Sequence, residues 1–227
     1  MTSVLDKAAP PAVLARRDTV SIALGLVAFG VTLGVTMSVL GFGALPGLVG
    51  APVVYAGSAQ LTAVTLVDQG AGLAVVVASA AIVNSRLLLY SASLAPRFSG
   101  QPAWFRWLAP HFLIDQTYLL SNARPDLDPR TFRRYWGCLG FFVLVVWSTS
   151  VAAGMVAGPA LPDLPHLVFV GTAMFVGMLA PRLTNRPAVA AAVAGGLVAA
   201  VVGLVRPELG IVGGAIAGLM AGSAARR

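Results

Sequence analysis

One apolar segment sets the architecture, and it reads ALPGLVGAPVVYAGSAQLT from Ala44 to Thr62. Two prolines and three glycines lie between residues 46 and 57, and a polar cluster begins at Tyr55. Proline removes a backbone hydrogen-bond donor and clashes with the preceding helical turn, so a straight helix through residues 46–52 is not expected. The segment lies within a run from 19 to 67 that carries no charged residue. We therefore expect a helix that is broken inside an apolar environment.

The composition of the 227-residue chain is that of an integral membrane protein. Apolar and aromatic residues make up 58% of the sequence, charged residues only 10%, and the mean hydropathy is +0.86. Soluble domains carry about 25% charged residues. Further charge-free runs cover 135–162, 164–181, 187–205 and 209–225. They are uniformly apolar rather than alternating, which predicts an all-α, polytopic transmembrane helix bundle with about six to eight membrane segments.

The distribution of lysine and arginine predicts the orientation. These residues concentrate in the N-terminal tail, the loop at 97–134, residues 182–186 and the C-terminal end. Cytoplasmic segments of membrane proteins carry an excess of such residues. Both termini are therefore predicted to be cytoplasmic in a multi-pass inner-membrane protein, with residues 1–18 as a tail and 19–225 as a single transmembrane domain.

Two arrangements of the broken element at about 44–67 remain open. In the first it re-enters the side from which it came, which leaves Arg206 as the only loop cation outside. In the second it crosses, the short apolar stretch at 108–120 crosses as well, and Arg97 and Arg106 also lie outside. Because 108–120 is shorter than the about 20 residues that a full span needs, the re-entrant arrangement is favoured.

The polar residues that follow the break form the first candidate site. Irregular backbone at membrane depth is tolerated only where it is buried in protein or lines a cavity. Interrupted helices in transporters point their N-termini at anionic groups of the substrate. We therefore predict that Tyr55, Gly57, Ser58 and Gln60 bind a substrate. The alternative is a proline-kinked span whose small residues only pack against neighbouring helices.

A second polar cluster lies on the next segment and includes Asn84 and Arg86. A buried amide needs partners, and an arginine at membrane depth usually faces a cavity or a partner. Asn84 and Arg86 are therefore added to the predicted substrate-binding residues. For Arg86 an alternative stays open, in which the helix ends sooner and the side chain extends to the cytoplasmic interface.

Asp115 is the remaining candidate, since it is a rare carboxylate close to a predicted membrane segment. If its neighbours desolvate it, Asp115 could take up a proton and couple transport to proton movement. It could equally cap a short helix at 116–121, as aspartate commonly does.

These polar residues resemble those of a known family. The block Tyr55-Ala-Gly-Ser-Ala-Gln60, followed by Asn84-x-Arg86 and Tyr90, is similar to the AzlC family, the large subunit of branched-chain amino acid export permeases. The resemblance implies export of branched-chain or other hydrophobic amino acids together with a small AzlD-like membrane subunit. Members often carry an acidic pair in the segment that matches 113–120. This chain keeps only Asp115 there, so a two-carboxylate relay is not expected to carry over.

The expected function is that of a secondary transporter subunit that binds its substrate within the lipid bilayer. The sequence contains no dinucleotide, phosphate-loop, zinc or nucleophile motif, so we expect no catalytic residue, no cofactor and no metal. The net charge of +7 is explained by membrane orientation, and no nucleic-acid partner is expected. Two alternatives remain: a channel-like conduit for small solutes, and a structural membrane subunit that transports nothing.

Glycines recur at every fourth position of the last segment, at Gly210, Gly214, Gly218 and Gly222. This spacing lets another helix approach closely. The partner could be a helix of the same chain or a second protein, including another copy in a homo-oligomer. No internal sequence repeat is detectable.

Overall fold

The computed structural model describes residues 9–160, 183–205 and 207–225, and every regular element in these ranges is a helix. In chain order the helices are α1 (Pro11–Val39), α2 (Ala44–Val54), α3 (Gly57–Asp68), α4 (Leu73–Asn84), α5 (Arg86–Ser99), α6 (Ala103–Leu108), α7 (Asp115–Asn122), α8 (Pro129–Ala157), α9 (Arg186–Val205) and α10 (Pro207–Ala224). Short 3-10 helices follow α6 at Ala109–Phe112 and α8 at Gly158–Ala160. The predicted all-α class is confirmed for the described residues.

Within the described part of the chain, four helical segments are long and apolar enough to cross a bilayer: Pro11–Val39, Leu73–Ser99, Pro129–Ala160 and Arg186–Val205. The six to eight membrane segments that we predicted also counted shorter elements. Helices α2 and α3 have 11 and 12 residues, whereas a full crossing needs about 20. The span predicted at 164–181 lies outside the described residues.

Helices α1 and α8 form the centre of the bundle and run parallel along most of their length. Gly30 packs against Ser150, and Gly34 packs against Val151 and Gly154. A Cβ atom on Gly34 would lie 2.1 Å from the carbonyl oxygen of Val151, so the two backbones are in direct contact. Small residues permit this close approach, which supplies the dispersion contacts that hold helices together in lipid.

A partly buried ion pair ties the N-terminal part of α1 to the loop that precedes α8. Arg124 binds both carboxylate oxygens of Asp18, with Nε–Oδ2 at 2.6 Å and Nη2–Oδ1 at 2.8 Å, and the Tyr135 hydroxyl donates to Oδ2 at 2.6 Å. Arg97 donates to the backbone carbonyl of Arg124 at 3.1 Å. Two cations of the basic loop therefore hold the structure together. Residues 11–18, which we assigned to the tail, belong to α1.

Helices α2 and α3 form a hairpin, the first hairpin (44–68), which leaves and returns to the C-terminal end of α1. At its tip the Tyr55 hydroxyl lies 3.5 Å from the carbonyl oxygen of Gly140, near the middle of α8. Helix α3 then runs back, and the Gln60 amide nitrogen lies 3.8 Å from the sulfur of Met37. The two ends of the hairpin consequently lie at the same end of the bundle.

The break in this hairpin falls at Tyr55 and Ala56 rather than at residues 46–52. Tyr55 is left-handed, with φ 44° and ψ 37°, and α3 begins two residues later. Pro46 lies in the first turn of α2. Backbone N–H groups in the first turn of a helix have no acceptor within the helix, so the absence of an N–H at Pro46 costs no hydrogen bond. Pro52 lies inside α2, and the helix continues to Val54. A non-glycine residue in the left-handed region costs about 1–2 kcal/mol, so the surrounding contacts must impose it.

Helices α6 and α7, joined by the 3-10 helix, form the second hairpin (103–122), which leaves and returns to the N-terminal end of α8. The Trp136 indole donates to a backbone carbonyl of the 3-10 helix at 3.0 Å. Phe112 packs directly on Gly140, at the level reached by the first hairpin. The chain then reverses, and α7 runs back toward Arg124. The two hairpins thus enter from opposite ends and meet near the middle of α8.

Helices α4 and α5 connect the outer ends of the two hairpins, with an interruption at Ser85. Near the end of α5, the Phe98 ring stacks on Phe105 at 5.5 Å and meets Trp136 edge-on at 5.1 Å. This aromatic cluster fixes α5 against the second hairpin and the start of α8.

Helices α9 and α10 pack together through the glycine stripe. A Cβ atom on Gly214 would lie 2.7 Å from the carbonyl oxygen of Gly195, and one on Gly218 would lie 2.9 Å from that of Ala191. All four glycines of the stripe, Gly210, Gly214, Gly218 and Gly222, face α9. Of the two partners that we considered, the structure shows the helix of the same chain.

Candidate functional site

The tips of the two hairpins contact each other. The Tyr55 ring stacks on His111 with centroids 5.7 Å apart and meets the edge of Phe112 at 6.4 Å. His111 Nε2 lies 3.1 Å from the carbonyl oxygen of Pro52, one of the last carbonyls of α2, which have no helical partner. The second hairpin therefore stabilises the break in the first.

A cavity of about 30 Å³ lies beside the tips. A water molecule needs roughly 10–15 Å³ by this measure, so the cavity holds one or two waters and no larger molecule. Helix α1, both hairpins, α4, α5 and α8 all contribute to its wall, which is formed by Leu26, Phe29, Tyr55, Ala56, Gly57, Ser58, Asn84, Arg86, Leu87, Ile114, Asp115, Gln116 and Trp147.

A charged network crosses the cavity wall. Arg86 Nη2 lies 2.9 Å from Asp115 Oδ2 and also donates to the hydroxyl of Ser58. The Tyr90 hydroxyl donates to Asp115 Oδ1 at 2.8 Å. The side chains of Arg86 and Asp115 are 32% and 19% exposed, respectively. Arg86 therefore has an ion-pair partner beside a cavity, which is the first of the two positions that we considered for it.

The structure contradicts the helix-capping role that we considered for Asp115. Ile114 occupies the N-cap position of α7, and its N–H donates to the Thr117 hydroxyl at 3.0 Å. Asp115 is the first helical residue, and its carboxylate turns away toward Arg86 and Tyr90. The Asp115 carboxylate therefore faces the cavity rather than the backbone of α7.

Three buried polar atoms of cavity residues have no hydrogen-bond partner among the described residues. They are Asn84 Oδ1, Arg86 Nε and Trp147 Nε1. Buried polar atoms in proteins are nearly always hydrogen-bonded, so unpaired ones call for a water or a ligand. Their presence around one cavity distinguishes this place from an ordinary contact between helices.

The N-terminus of α3 also points at the cavity. Ala56 at its N-cap provides no side-chain hydrogen bond to the first N–H groups. A helix N-terminus carries a partial positive charge, which favours an anionic group. A Cβ atom on Gly57 would lie 2.5 Å from the Trp147 ring and 2.7 Å from the Phe29 ring. Glycine is therefore required where the backbone approaches these rings.

The structure brings together most of the residues that the sequence indicated. Those that line the cavity are Tyr55, Gly57, Ser58, Asn84, Arg86 and Asp115. Gln60 does not line it. This residue lies nearly one turn further along α3, against Met37 of α1.

Sequence reasoning missed the aromatic and aliphatic part of the wall. Leu26 and Phe29 come from α1, and Trp147 comes from α8. The rings of Phe29 and Trp147 are 5.6 Å apart and tilted by 49°. In an apolar span, the sequence does not distinguish an apolar residue that lines a cavity from one that faces lipid. The close approach of Gly57 to the rings of Phe29 and Trp147 is what identifies them as part of the wall.

Comparison with known proteins matches this region to a family. The model of the family described as AzlC protein matches residues 21–161, which include most of α1, both hairpins and α8. An uncharacterized membrane protein of Helicobacter pylori strain J99 is 35% identical over 159 residues, 70% of this chain and 69% of that protein. An uncharacterized membrane protein of Archaeoglobus fulgidus is 27% identical over 202 residues, 87% of each chain. No solved structure matches. From the matched segment and these relatives, we conclude that the chain is a membrane protein that belongs to the AzlC family.

Proposed function

We propose that this protein is the subunit of a secondary transporter that exports branched-chain or other hydrophobic amino acids, with the substrate held beside the break between α2 and α3. The observation that carries the proposal is the Arg86–Asp115 pair in a wall that is otherwise largely apolar and aromatic. Charged groups at membrane depth are costly and usually belong to a substrate or ion pathway. Membership of the AzlC family supports a role in transport.

The cavity offers both kinds of surface that such a substrate needs. Arg86 and the first N–H groups of α3 suit a carboxylate, since a guanidinium and a helix N-terminus both favour anions. Leu26, Phe29 and Trp147 offer an apolar wall for an aliphatic side chain. Binding, rather than bond-making, is the chemistry that these groups can perform.

The proposed membrane arrangement has the first hairpin as a re-entrant element. Both of its ends lie at the C-terminal end of α1, which supports entry from and return to one side. Helices α1 and α8 and the combined α4–α5 segment would cross, and the second hairpin would enter from the cytoplasmic side. In this proposal both termini lie in the cytoplasm and the protein lies in the inner membrane, as the distribution of lysine and arginine favours. Opposed broken elements that meet near the midplane are a known design of secondary transporters.

The size of the cavity favours alternating access over a channel. At about 30 Å³ it is too small for an amino acid, and a conduit would need a continuous polar pore. A substrate could enter only if the two hairpin tips moved apart. The described conformation therefore corresponds to a closed state of the proposed transport cycle.

The proposed partners are a small AzlD-like membrane subunit and the lipid bilayer. The outward face of α9 is apolar and exposed, with Leu197 at 63% and Leu204 at 87%. This face can contact lipid or the small subunit. A second copy of the chain, in a homo-oligomer, is the alternative.

Counterflow of radiolabelled valine into proteoliposomes, with and without the small subunit, tests the proposal. Arg86→Lys should reduce valine counterflow by about tenfold or more, because lysine lacks the planar two-donor fork for a carboxylate. Arg106→Lys is the matched control, since Arg106 is exposed on α6 and does not line the cavity. Equal counterflow by Arg86→Lys and the wild type would remove Arg86 from the site, and no counterflow by the wild type would refute the proposed function.

A further inference from the structure

The charges in the cavity wall are balanced, which transport as such does not require. Among the described residues that line the cavity, only Arg86 and Asp115 are charged, and each is the other's partner at 2.9 Å. The pair joins α5 to the tip of the second hairpin, and the link from Arg86 to Ser58 continues to the first hairpin. The cavity is thus lined by one positive and one negative group with no net charge.

We propose that the substrate separates this ion pair, so that Asp115 binds the ammonium group while Arg86 binds the carboxylate. The inference rests on the proposed function and assigns Asp115 as the residue that distinguishes amino acids from other small hydrophobic acids. A zwitterion has no net charge and replaces one ion pair with two. A simple carboxylate can bind Arg86 only by leaving Asp115 without a cationic partner, and an uncompensated charge in a poorly hydrated site is strongly unfavourable.

The unpaired atoms around the pair fit this exchange. Arg86 uses Nη2 for both Asp115 and Ser58, while its Nε has no partner among the described residues. A carboxylate that binds Nε and Nη2 together would make the two-donor contact that arginine favours, and it would displace Asp115. Asn84 Oδ1, which also has no partner, can accept a further ammonium hydrogen.

Tyr90 and Thr117 hold Asp115 in position for the second half of the exchange. The Tyr90 hydroxyl donates to Oδ1, so the carboxylate stays in the wall when Oδ2 loses Arg86. At the start of α7 the Thr117 hydroxyl accepts from the N–H of Ile114, while the Asp115 carboxylate binds Arg86 and Tyr90. Loss of the Arg86 contact would remove one of the links between α5 and the second hairpin, while the Tyr90 hydrogen bond and the stacking of Phe98 on Phe105 keep the two together.

The test compares three ligands of similar size as competitors of radiolabelled valine counterflow in proteoliposomes. They are L-valine, 3-methylbutanoate, which lacks the amino group, and L-valinamide, which lacks the carboxylate. With the wild type, each analogue should compete at least about tenfold more weakly than valine. If 3-methylbutanoate competes as well as valine, the inference is overturned.

The variant Asp115→Asn should change the order of the ligands. Competition by valine should weaken by about tenfold or more, while competition by 3-methylbutanoate should strengthen, because Arg86 no longer has an internal carboxylate partner. Asp68→Asn, at the exposed end of α3, is the matched control and should leave both values unchanged.

The outcomes separate this inference from the proposed function. Weakening of both ligands by the same factor in Asp115→Asn would show a merely structural role and overturn the inference. If Asp115→Asn does not fold, as judged by size-exclusion chromatography, the ligand series on the wild type still decides the question. No valine counterflow by the wild type would overturn the proposed function, and this inference with it.

Discussion

The contact between α1 and α8 provides the sharpest prediction about stability. Substitution of Gly34 by alanine adds one Cβ atom that would lie 2.1 Å from the carbonyl oxygen of Val151, 2.8 Å from the nitrogen of Met155 and 3.0 Å from the carbonyl carbon of Gly154. All three are backbone atoms of α8, so no side-chain rotation can relieve the clash. The two helices would have to move apart along the contact that positions Phe29 and Trp147.

The magnitude follows from two opposing effects. Forcing an extra methyl group into a packed contact typically costs about 1–3 kcal/mol, and a clash with backbone belongs at the upper end. Replacing glycine by alanine inside a helix by itself raises the free energy of unfolding by about 0.5–1 kcal/mol. We therefore expect Gly34→Ala to lower the free energy of unfolding by about 2–2.5 kcal/mol, which is a change of more than about tenfold in the folding equilibrium.

Gly137→Ala is the matched control, because Gly137 lies inside α8 and a Cβ there would meet no atom of the described residues within 4 Å. It should be neutral or slightly stabilising. Both variants would be unfolded by titrating dodecyl sulfate into mild detergent micelles, with tryptophan fluorescence and circular dichroism as the two signals. If Gly34→Ala proves as stable as Gly137→Ala, the close backbone contact between α1 and α8 is wrong.

Two further predictions concern the site and the membrane arrangement. Gly57→Leu should reduce valine counterflow to less than about a tenth while the protein stays monodisperse, because the new side chain must displace two aromatic rings of the cavity wall. Gly203→Leu is the control and should transport normally, since a Cβ on Gly203 would meet none of the described residues within 4 Å. Normal transport by both variants would remove Gly57 from the site. Single cysteines at the exposed positions Gln69 and Gly100, in a Cys138→Ala background, should give opposite results on intact cells with an impermeant thiol reagent. The first should be labelled and the second protected, whereas the reverse pattern would show that the first hairpin crosses the membrane.

The polar residues of the site could be predicted from the sequence, because a polar side chain in an apolar membrane segment usually faces a cavity or a partner. Asn84, Arg86 and Asp115 were identified in this way, and all three line the cavity. The same reasoning also selected Gln60, but this residue does not line the cavity. The sequence shows that a residue follows the break, but the distance along α3 and the packing against α1 determine what that residue contacts.

The position of the break required the structure. Prolines predicted it at 46–52, but one proline falls in the first turn of α2 and the other is tolerated inside that helix. The chain leaves helical geometry at Tyr55, and the Tyr55 ring contacts His111 and Phe112, which lie more than 50 residues away in sequence. The sequence around Tyr55 does not indicate contacts with residues so far away in the chain.

Composition and hydropathy by themselves determined that this is an all-helical membrane protein, because a chain with 10% charged residues cannot cover a water-exposed surface. The path of the chain was decided only by tertiary contacts. Apolar helices of similar composition satisfy their backbones equally well in lipid, so their sequence does not show whether a short pair crosses or turns back. Phe112 on Gly140, and Tyr55 beside the same glycine, place the two hairpin tips at one level from opposite ends. A helix followed by a hairpin thus occurs twice with inverted direction, which depends on contacts between residues far apart in the sequence and not on a sequence repeat.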